Sequence, residues 1–356
     1  MIAVDAYNGT IYWTLQIPAL RRTNMPRDCS NMVIDDQRLY AAVGDKCLVF
    51  DAQTGQRVAA FALSSLDNER DYDWGFLARS GHLLLGSHVR RGSAYTGAEG
   101  EWYDGAGADS RKVTSDALFA RQAVGGAHVW RHRGGTIVNS TLTIGGERVY
   151  FLESRNPRIA ARRTGRLGDE LRTEQFIVSL ALDSGRKLWE KEVSFGDFER
   201  VAFLSYADET LVVVGTSDRY QLHALDARDG RERWKAEHTW SRDHHGGALR
   251  HPVLTGGVVY AETHAYDLRT GRVLRSDIPQ GRGCGTVSAS ATNLFFRHHF
   301  HSMWNTENGE FTEWHGARGG CWLGIIPAGG VVLAPETSSG CSCAHPIQTS
   351  VAFVPR

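Results

Sequence analysis

The sequence predicts an all-β fold built from one repeated unit of four short strands. The pattern A-x-D-x-x-[TN]-G-x-x-x-W occupies residues 3–13 and returns nearly intact at residues 224–234. Two apolar runs precede this second copy, at residues 211–214 and 220–225, and alternating apolar runs bounded by turn residues are typical of half-buried strands. Repeats of about 40–50 residues that each supply four strands match the blades of a β-propeller.

Seven copies of the motif are present, and each part of it has a physical role. The glycine allows the positive φ that a tight turn needs, and the tryptophan that follows can bury its large surface between neighbouring sheets. The tryptophan is replaced at Ala59 and Arg275 and shifts by one residue at Trp314. The glycines of the seven copies are Gly9, Gly55, Gly126, Gly185, Gly230, Gly271 and Gly309.

The strand count predicts a single propeller domain over residues 1–356 with seven or eight blades. The chain begins with the last two strands of one blade, continues through six full blades and ends with three more strands, so the N-terminal blade is incomplete. We expect the natural chain to begin further upstream. Insertions at about 90–116 and 155–173 interrupt two blades, and such long loops are either lids and binding loops or solvated excursions.

The repeated motif resembles the tryptophan-docking motif of quinoprotein-type β-propellers, the PQQ-like repeat family that includes outer-membrane assembly lipoproteins. Further stretches, at residues 26–31, 283–286, 326–330 and 340–343, are similar to uncharacterised PQQ-like propellers of planctomycete-type bacteria. The resemblance covers almost the whole chain and favours eight blades. It implies a fold and leaves the function open, because one fold hosts many chemistries.

Composition excludes several classes of protein. Forty basic side chains balance 40 acidic ones, which argues against a nucleic-acid partner. The apolar runs are too short to span a membrane, and 42% hydrophobic residues are enough to build a core. No signal peptide is recognised, so the compartment is left open, with a periplasmic or extracellular location favoured if the cysteines form disulfides.

Propeller geometry predicts one polar face. The chain reverses at every strand end, so the glycine turns share one face, whereas the blade-to-blade connections and the loops between second and third strands share the other. Ligand sites favour such loops. The substrate-binding candidates on this second face are Asp28, Asn31, Asp73, Trp74, Tyr103, Asn156, Arg282, Arg318, Trp322 and Glu336.

Three functions fit these residues. The first is β-elimination of an acidic polysaccharide, in which Arg27 and Arg155 neutralise a uronate carboxylate and His245, His251 or His264 abstracts a proton. The second is a non-catalytic propeller that binds a protein or a glycan. The third is a metal-dependent enzyme in which His244, His245 and His251 hold a divalent ion such as Zn²⁺ or Cu²⁺. The oligomeric state is left open.

Six cysteines allow disulfides, free thiols or a thiolate metal site. Cys29 and Cys47 flank one pair of strands and could form a disulfide across it. The other four cysteines are expected to approach one another: Cys284, Cys321, Cys341 and Cys343. The family resemblance implies that a quinone-binding member has adjacent cysteines and calcium ligands. Because Cys341 and Cys343 are separated by Ser342, we do not expect pyrroloquinoline quinone as a cofactor.

Overall fold

The structure of the protein is a computed structural model. It describes residues 1–18, 20, 31–66, 70–91, 93, 112–194, 203–217, 219–239, 251–282, 286–317, 324–335, 347 and 349–354. The chain divides into two compact units: unit 1 comprises Met1–Asp5 and Thr10–Glu199, and unit 2 comprises Ala6–Gly9 and Arg200–Arg356. The single domain and the number of blades stay predictions.

Unit 1 consists almost entirely of antiparallel strands. In chain order they are β1 (Ile2–Val4), β2 (Ile11–Thr14), β3 (Met32–Ile34), β4 (Arg38–Val43), β5 (Lys46–Asp51), β6 (Arg57–Ala62), β7 (Tyr72–Ser80), β8 (Leu83–Arg90), β9 (Lys112–Ser115), β10 (Ala117–Gln122), β11 (His128–His132), β12 (Thr136–Val138), β13 (Thr143–Gly145), β14 (Arg148–Ser154), β15 (Arg166–Leu167), β16 (Gln175–Ala181) and β17 (Lys187–Val193). The described residues of this unit also form a short helix α1 (Pro157–Ala160) and two 3₁₀ turns (Asn139–Thr141 and Asp169–Arg172).

The sheets of unit 1 follow the predicted repeat. β1 pairs with β2 alone, whereas β3-β4-β5-β6 and β7-β8-β10-β11 are four-stranded sheets. In the third repeat, β14 pairs with β12 at one end and with β13 at the other, and β16 and β17 follow on its opposite side. β9 and β15 extend this sheet beyond β12, so segments from both predicted insertions join one sheet.

The described residues of unit 2 form three four-stranded sheets and one three-stranded sheet, each in chain order. Their strands are β18 (Phe203–Ala207), β19 (Thr210–Thr216), β20 (Arg219–Asp226) and β21 (Glu232–Thr239); β22 (Val253–Thr255), β23 (Val258–Ala261), β24 (His264–Asp267) and β25 (Val273–Arg275); β26 (Ser288–Ala289), β27 (Asn293–His298), β28 (Phe300–Asn305) and β29 (Phe311–Trp314); and β30 (Ile326–Ala328), β31 (Val331–Ala334) and β32 (Val351–Phe353).

The core of each unit lies between neighbouring sheets. Every residue of β8 and of β19 is buried, whereas the last strand of a repeat alternates between covered and exposed residues, as in β21. This difference follows from position, because a central strand is covered on both faces and an outer strand is not. In unit 1, for example, Leu85 and Leu118 pack in one cluster with Phe151 of the following repeat.

The tryptophan of the motif is buried between repeats, as predicted, and it lies against a glycine turn. Trp234 donates from Nε1 to the carbonyl of Leu268 at 2.9 Å, and its ring covers Gly271, whose φ is +71°. A Cβ added to Gly271 would lie 2.6 Å from this ring. In the same turn, Asp267 Oδ1 accepts from the backbone N–H and the hydroxyl of Thr270. The motif is therefore a structural joint between repeats.

The same joint recurs in unit 1, with one difference from the sequence expectation. Trp130 covers Gly185 and Trp13 covers Gly55, each donating to a carbonyl of the next repeat. Where the tryptophan is replaced by alanine at position 59, the ring of Phe61 covers Gly126 instead. A side chain two residues further along β6 points to the same side of the strand, because side chains alternate with period two.

Candidate functional site

Unit 1 contains an open cleft of about 520 Å³ at the level of the two predicted insertions. Among the described lining residues, four are arginines and one is an aspartate. Small residues form most of the remaining wall. The lining residues are Arg70, Arg90, Asp116, Arg133, Gly134, Gly135, Thr136, Ser154, Arg155, Asn156, Pro157 and Ala160.

Asp116 lies at the centre of the hydrogen-bond network of the cleft. Its carboxylate accepts from Nε and Nη2 of Arg90, each at 3.1 Å, and from the hydroxyl of Tyr72 at 2.8 Å. Arg70 adds an ion pair at 3.5 Å. The side chain of Arg90 is only 5% exposed, so this bidentate pair is largely shielded from water. Shielding strengthens the attraction between the charges and makes loss of either partner costly.

Arg90 also fixes the second insertion. Its Nη1 donates to the carbonyls of Ile159, Arg162 and Thr164. Arg70 Nη2 donates to the carbonyl of Ala160 at 2.6 Å. Arg90 and Asp116 are themselves the two ends of the first insertion, so their pair closes that loop and anchors the other.

Arg155 lies between two glutamates. Its Nε donates to Glu153 at 3.0 Å and its Nη2 to Glu190 at 2.6 Å, while the guanidinium lies over the ring of Phe176 at 4.0 Å. The hydrogen bond from Arg155, with a second one from Lys187, lowers the pKa of Glu190 to about 2. Glu153 is fully buried, and its second oxygen lies 3.0 Å from Nε2 of His132. The charge of Arg155 is therefore already balanced within the protein.

Arg133 and the two glycines after it form the rim of the cleft. Arg133 is exposed, and its Nη1 donates to the carbonyl of Leu66 at 3.0 Å. A Cβ on Gly134 would lie 2.7 Å from Glu153 Oε1, and one on Gly135 would lie 2.6 Å from the carbonyl oxygen of Ser154. Glycine is needed at both positions because the backbone passes directly over these groups.

Several residues predicted from the sequence lie in unit 1, and two of them line the cleft. Arg155 and Asn156 are in its wall. Asp73 is not among the described lining residues, and its carboxylate lies 3.5 Å from Nε of Arg91. Asn31 is half-buried, and its backbone carbonyl accepts from Ala42.

The burial of Trp74 contradicts the expectation that its ring offers a stacking surface for sugars. It is 4% exposed, its ring packs edge-on against Phe119, and its Nε1 donates to the carbonyl of Phe76. The alternation of β7 turns this side chain toward the core, where it presents no face for stacking.

Three further predicted residues lie in unit 2. His251 lies against Phe203, with Nδ1 2.9 Å from the carbonyl of Pro252, and burial lowers its pKa. His264 stacks on His238 with 4.0 Å between ring centres, and burial lowers its pKa also. Nη1 of Arg282 lies 3.5 Å from Nε2 of His299. Burial favours the neutral form of both predicted base histidines.

Many predicted residues lie outside the described part of the chain: Arg27, Asp28, Tyr103, His244, His245, Arg318, Trp322, Glu336, Cys29, Cys284, Cys321, Cys341 and Cys343. Cys47 is described, and it is a free thiol buried in the core, with its pKa raised to about 12 by burial. This corrects the predicted pairing of Cys29 with Cys47: the side chain of Cys47 faces the next sheet, where it packs with Trp74.

Metal-binding clusters and membrane-spanning helices are absent from the described residues. These residues contain no group of three or more His, Cys, Asp or Glu side chains arranged to hold a metal ion. No helix within them is long and apolar enough to cross a bilayer. Calcium prefers carboxylate and carbonyl oxygens, and Asp116, which supplies the one carboxylate among the described lining residues, is engaged by arginine. The cleft therefore does not fit a calcium-assisted quinone.

A comparison with protein-family models identifies the family of this chain. A family model described as "Outer membrane protein assembly factor BamB" matches residues 105–234 and 173–282, which together span half of the sequence. The chain belongs to this BamB-type family of PQQ-like repeats. A search of curated proteins found no sequence match.

Solved structures share the fold. BamB from Moraxella catarrhalis is 14% identical, with a TM-score of 0.59, over 96% of this chain and 91% of that one. A europium-containing methanol dehydrogenase is 11% identical, with a TM-score of 0.60, over 94% and 78%. The quinohemoprotein alcohol dehydrogenase from Comamonas testosteroni is 14% identical, with a TM-score of 0.59, over 94% and 67%. The predicted all-β fold, a propeller of four-stranded antiparallel blades, is confirmed.

Most of the residues of the cleft were not predicted from the sequence. The positions of Arg90 and Asp116 at the two ends of the first insertion could have indicated that they pair, because an ion pair between them closes that loop. Arg133 stands before a Gly-Gly pair that interrupts the strand pattern. Arg70 has no such signal, because it reaches the cleft through contacts some 45 and 90 residues away in sequence.

Proposed function

We propose that this protein is a non-catalytic binding propeller whose arginine-lined cleft takes an acidic segment of a partner protein. The observation that carries the proposal is the arginine content of the cleft wall: the described residues lining this open space of about 520 Å³ include four arginines, and no carboxylate of the described residues lies within ion-pair distance of Arg133. Guanidinium groups bind carboxylates through paired, charge-assisted hydrogen bonds. An extended peptide can enter an open cleft without a large rearrangement of the protein.

A protein partner is favoured over a glycan by the character of the wall. Sugar rings are bound largely by stacking on exposed aromatic faces, and none of the described lining residues is aromatic. Trp74, the nearest predicted platform, is in the core. The matching family is named for an assembly factor, and assembly is a function carried out on proteins.

Polysaccharide elimination stays a prediction that the cleft does not favour. It needs a guanidinium that is available to the substrate and a base beside it, but Arg155 is held by Glu153 and Glu190. Among the described lining residues there is no histidine, tyrosine or lysine to act as a base. His132 lies beneath Gly134 with its Nε2 directed at Glu153.

The test is a binding titration with a fluorescent ten-residue peptide that alternates glutamate and serine. We expect saturable binding with a dissociation constant in the micromolar range that weakens as salt rises, since exposed charge pairs are screened. A peptide with lysine in place of glutamate is the matched control and should not bind. If the acidic peptide fails to bind, the proposal is rejected. Binding of polygalacturonate instead, with release of products absorbing in the near ultraviolet, would support the elimination hypothesis.

A further inference from the structure

The four arginines of the cleft differ in what already balances their charge. Arg90 and Arg70 lie 3.1 and 3.5 Å from the carboxylate of Asp116. Arg155 lies 2.9 Å from Glu153 and 2.6 Å from Glu190. A guanidinium already paired with a carboxylate gains less from a second anion, because the ligand must compete with the existing partner.

Arg133 is in a different position. No carboxylate of the described residues lies within ion-pair distance of it, and its recorded hydrogen bond is to the neutral carbonyl of Leu66 through Nη1 alone. The side chain is exposed at the rim of the cleft. The remaining donors of a guanidinium form a planar fork that matches the two oxygens of a carboxylate.

The chain beside Arg133 leaves this fork accessible. Gly134 and Gly135 follow it directly and carry no side chains that could cover it. Neither position tolerates a larger residue, because an added Cβ would meet Glu153 or the backbone of Ser154 at less than 3 Å. The packing beneath these two glycines therefore keeps access to the guanidinium of Arg133 open.

We infer that Arg133 is the anchor of this cleft, taking one carboxylate of the ligand, while Arg70, Arg90 and Arg155 shape the wall and hold the second insertion. This inference rests on the proposed function and specifies its recognition chemistry. It predicts that one well-placed acidic side chain of the partner dominates binding, and that the four arginines do not contribute equally.

The experiment compares two substitutions that remove the same charge from the same cleft. In titrations with the glutamate–serine peptide, we expect Arg133→Gln to weaken binding 10- to 30-fold and Arg70→Gln to weaken it less than 3-fold. Arg133→Lys should fall between them, because lysine keeps the charge but loses the planar fork. Arg38→Gln, on β4 with its own partner Asp51, is the surface control and should leave binding unchanged.

The outcomes distinguish the anchor role of Arg133 from the binding of an acidic segment by the cleft. Equal weakening by Arg133→Gln and Arg70→Gln, with the parent protein still binding, would overturn the anchor and leave the acidic-segment proposal standing. A parent protein that does not bind the peptide would overturn both. Melting temperatures of the variants are measured alongside, and we expect Arg133→Gln to melt close to the parent because it loses a single, partly buried hydrogen bond to a neutral carbonyl.

Discussion

Substituting Gly271 with alanine tests whether the tryptophan joint between repeats is as tightly packed as the structure shows. Gly271 has a φ of +71°, and a Cβ there would lie 2.6 Å from the ring of Trp234. Gly9 is the matched control. It occupies the same motif position with a φ of +76°, and nothing lies within 4 Å of its Cβ position. The two substitutions share the backbone penalty and differ in crowding.

The magnitudes follow from these two terms. An L-residue in the left-handed region costs roughly 1–2 kcal/mol, and alanine recovers about 0.4–1 kcal/mol by restricting the unfolded chain. Gly9→Ala should therefore lower the free energy of unfolding by about 1 kcal/mol. Overpacking a filled site adds typically 1–3 kcal/mol. Gly271→Ala should thus cost about 2–4 kcal/mol, a difference large enough to measure.

The assay is urea unfolding followed by far-ultraviolet circular dichroism, which does not depend on tryptophan emission. A third protein separates crowding from backbone strain: in a Trp234→Leu background, adding Gly271→Ala should cost only about 1 kcal/mol, because the ring it would meet is gone. Equal destabilisation by Gly9→Ala and Gly271→Ala, or no relief in the Trp234→Leu background, would refute the reasoning.

Three further outcomes are expected. Asp116→Asn should lower the free energy of unfolding by about 3 kcal/mol, because Arg90, only 5% exposed, loses its counter-charge; an unchanged urea midpoint would contradict this. Hydrogen bonds from Arg155 and, secondly, Lys187 lower the pKa of Glu190 to about 2 from its ordinary 4.5, so the stabilisation from this carboxylate is full above pH 4.5 and is lost as the pH falls toward 2. Glu190→Gln should flatten the pH dependence of the melting temperature in that range, and an unchanged slope would count against the pair. Cys47 should resist maleimide labelling in the native protein and react after unfolding, as read by peptide mass spectrometry; native labelling would show that its burial is wrong.

Reasoning from the sequence succeeded where the contacts are short in sequence or repeat with the motif. The turn at Asp267 is closed by bonds to residues two and three positions later, so its pattern is visible locally. The docking of Trp234 on Gly271 was predictable as well, because each repeat meets the next in the same way. Where a copy of the motif lacks its tryptophan, the covering residue was not predicted: Phe61, and not the residue at the tryptophan position, covers Gly126.

The cleft was predicted only in part. Its location near the two insertions and the presence of Arg155 and Asn156 followed from the loop order. The pairing state of each arginine did not, since it depends on which carboxylates fold into contact. For this reason Arg155, chosen as a substrate-neutralising residue, proves to be held by two glutamates, whereas Arg133 was not singled out.

The amino-acid sequence by itself determined the repeating architecture of this protein, because strand alternation and the glycine turn are set by residues within one unit. Tertiary structure decided the functional surface. The bonds that build the cleft join Arg90 to Asp116 across the first insertion, and to Ile159 beyond it, at separations of 26 and 69 residues. No local pattern encodes such contacts, since they form only once the packed sheets bring the two insertions to one place.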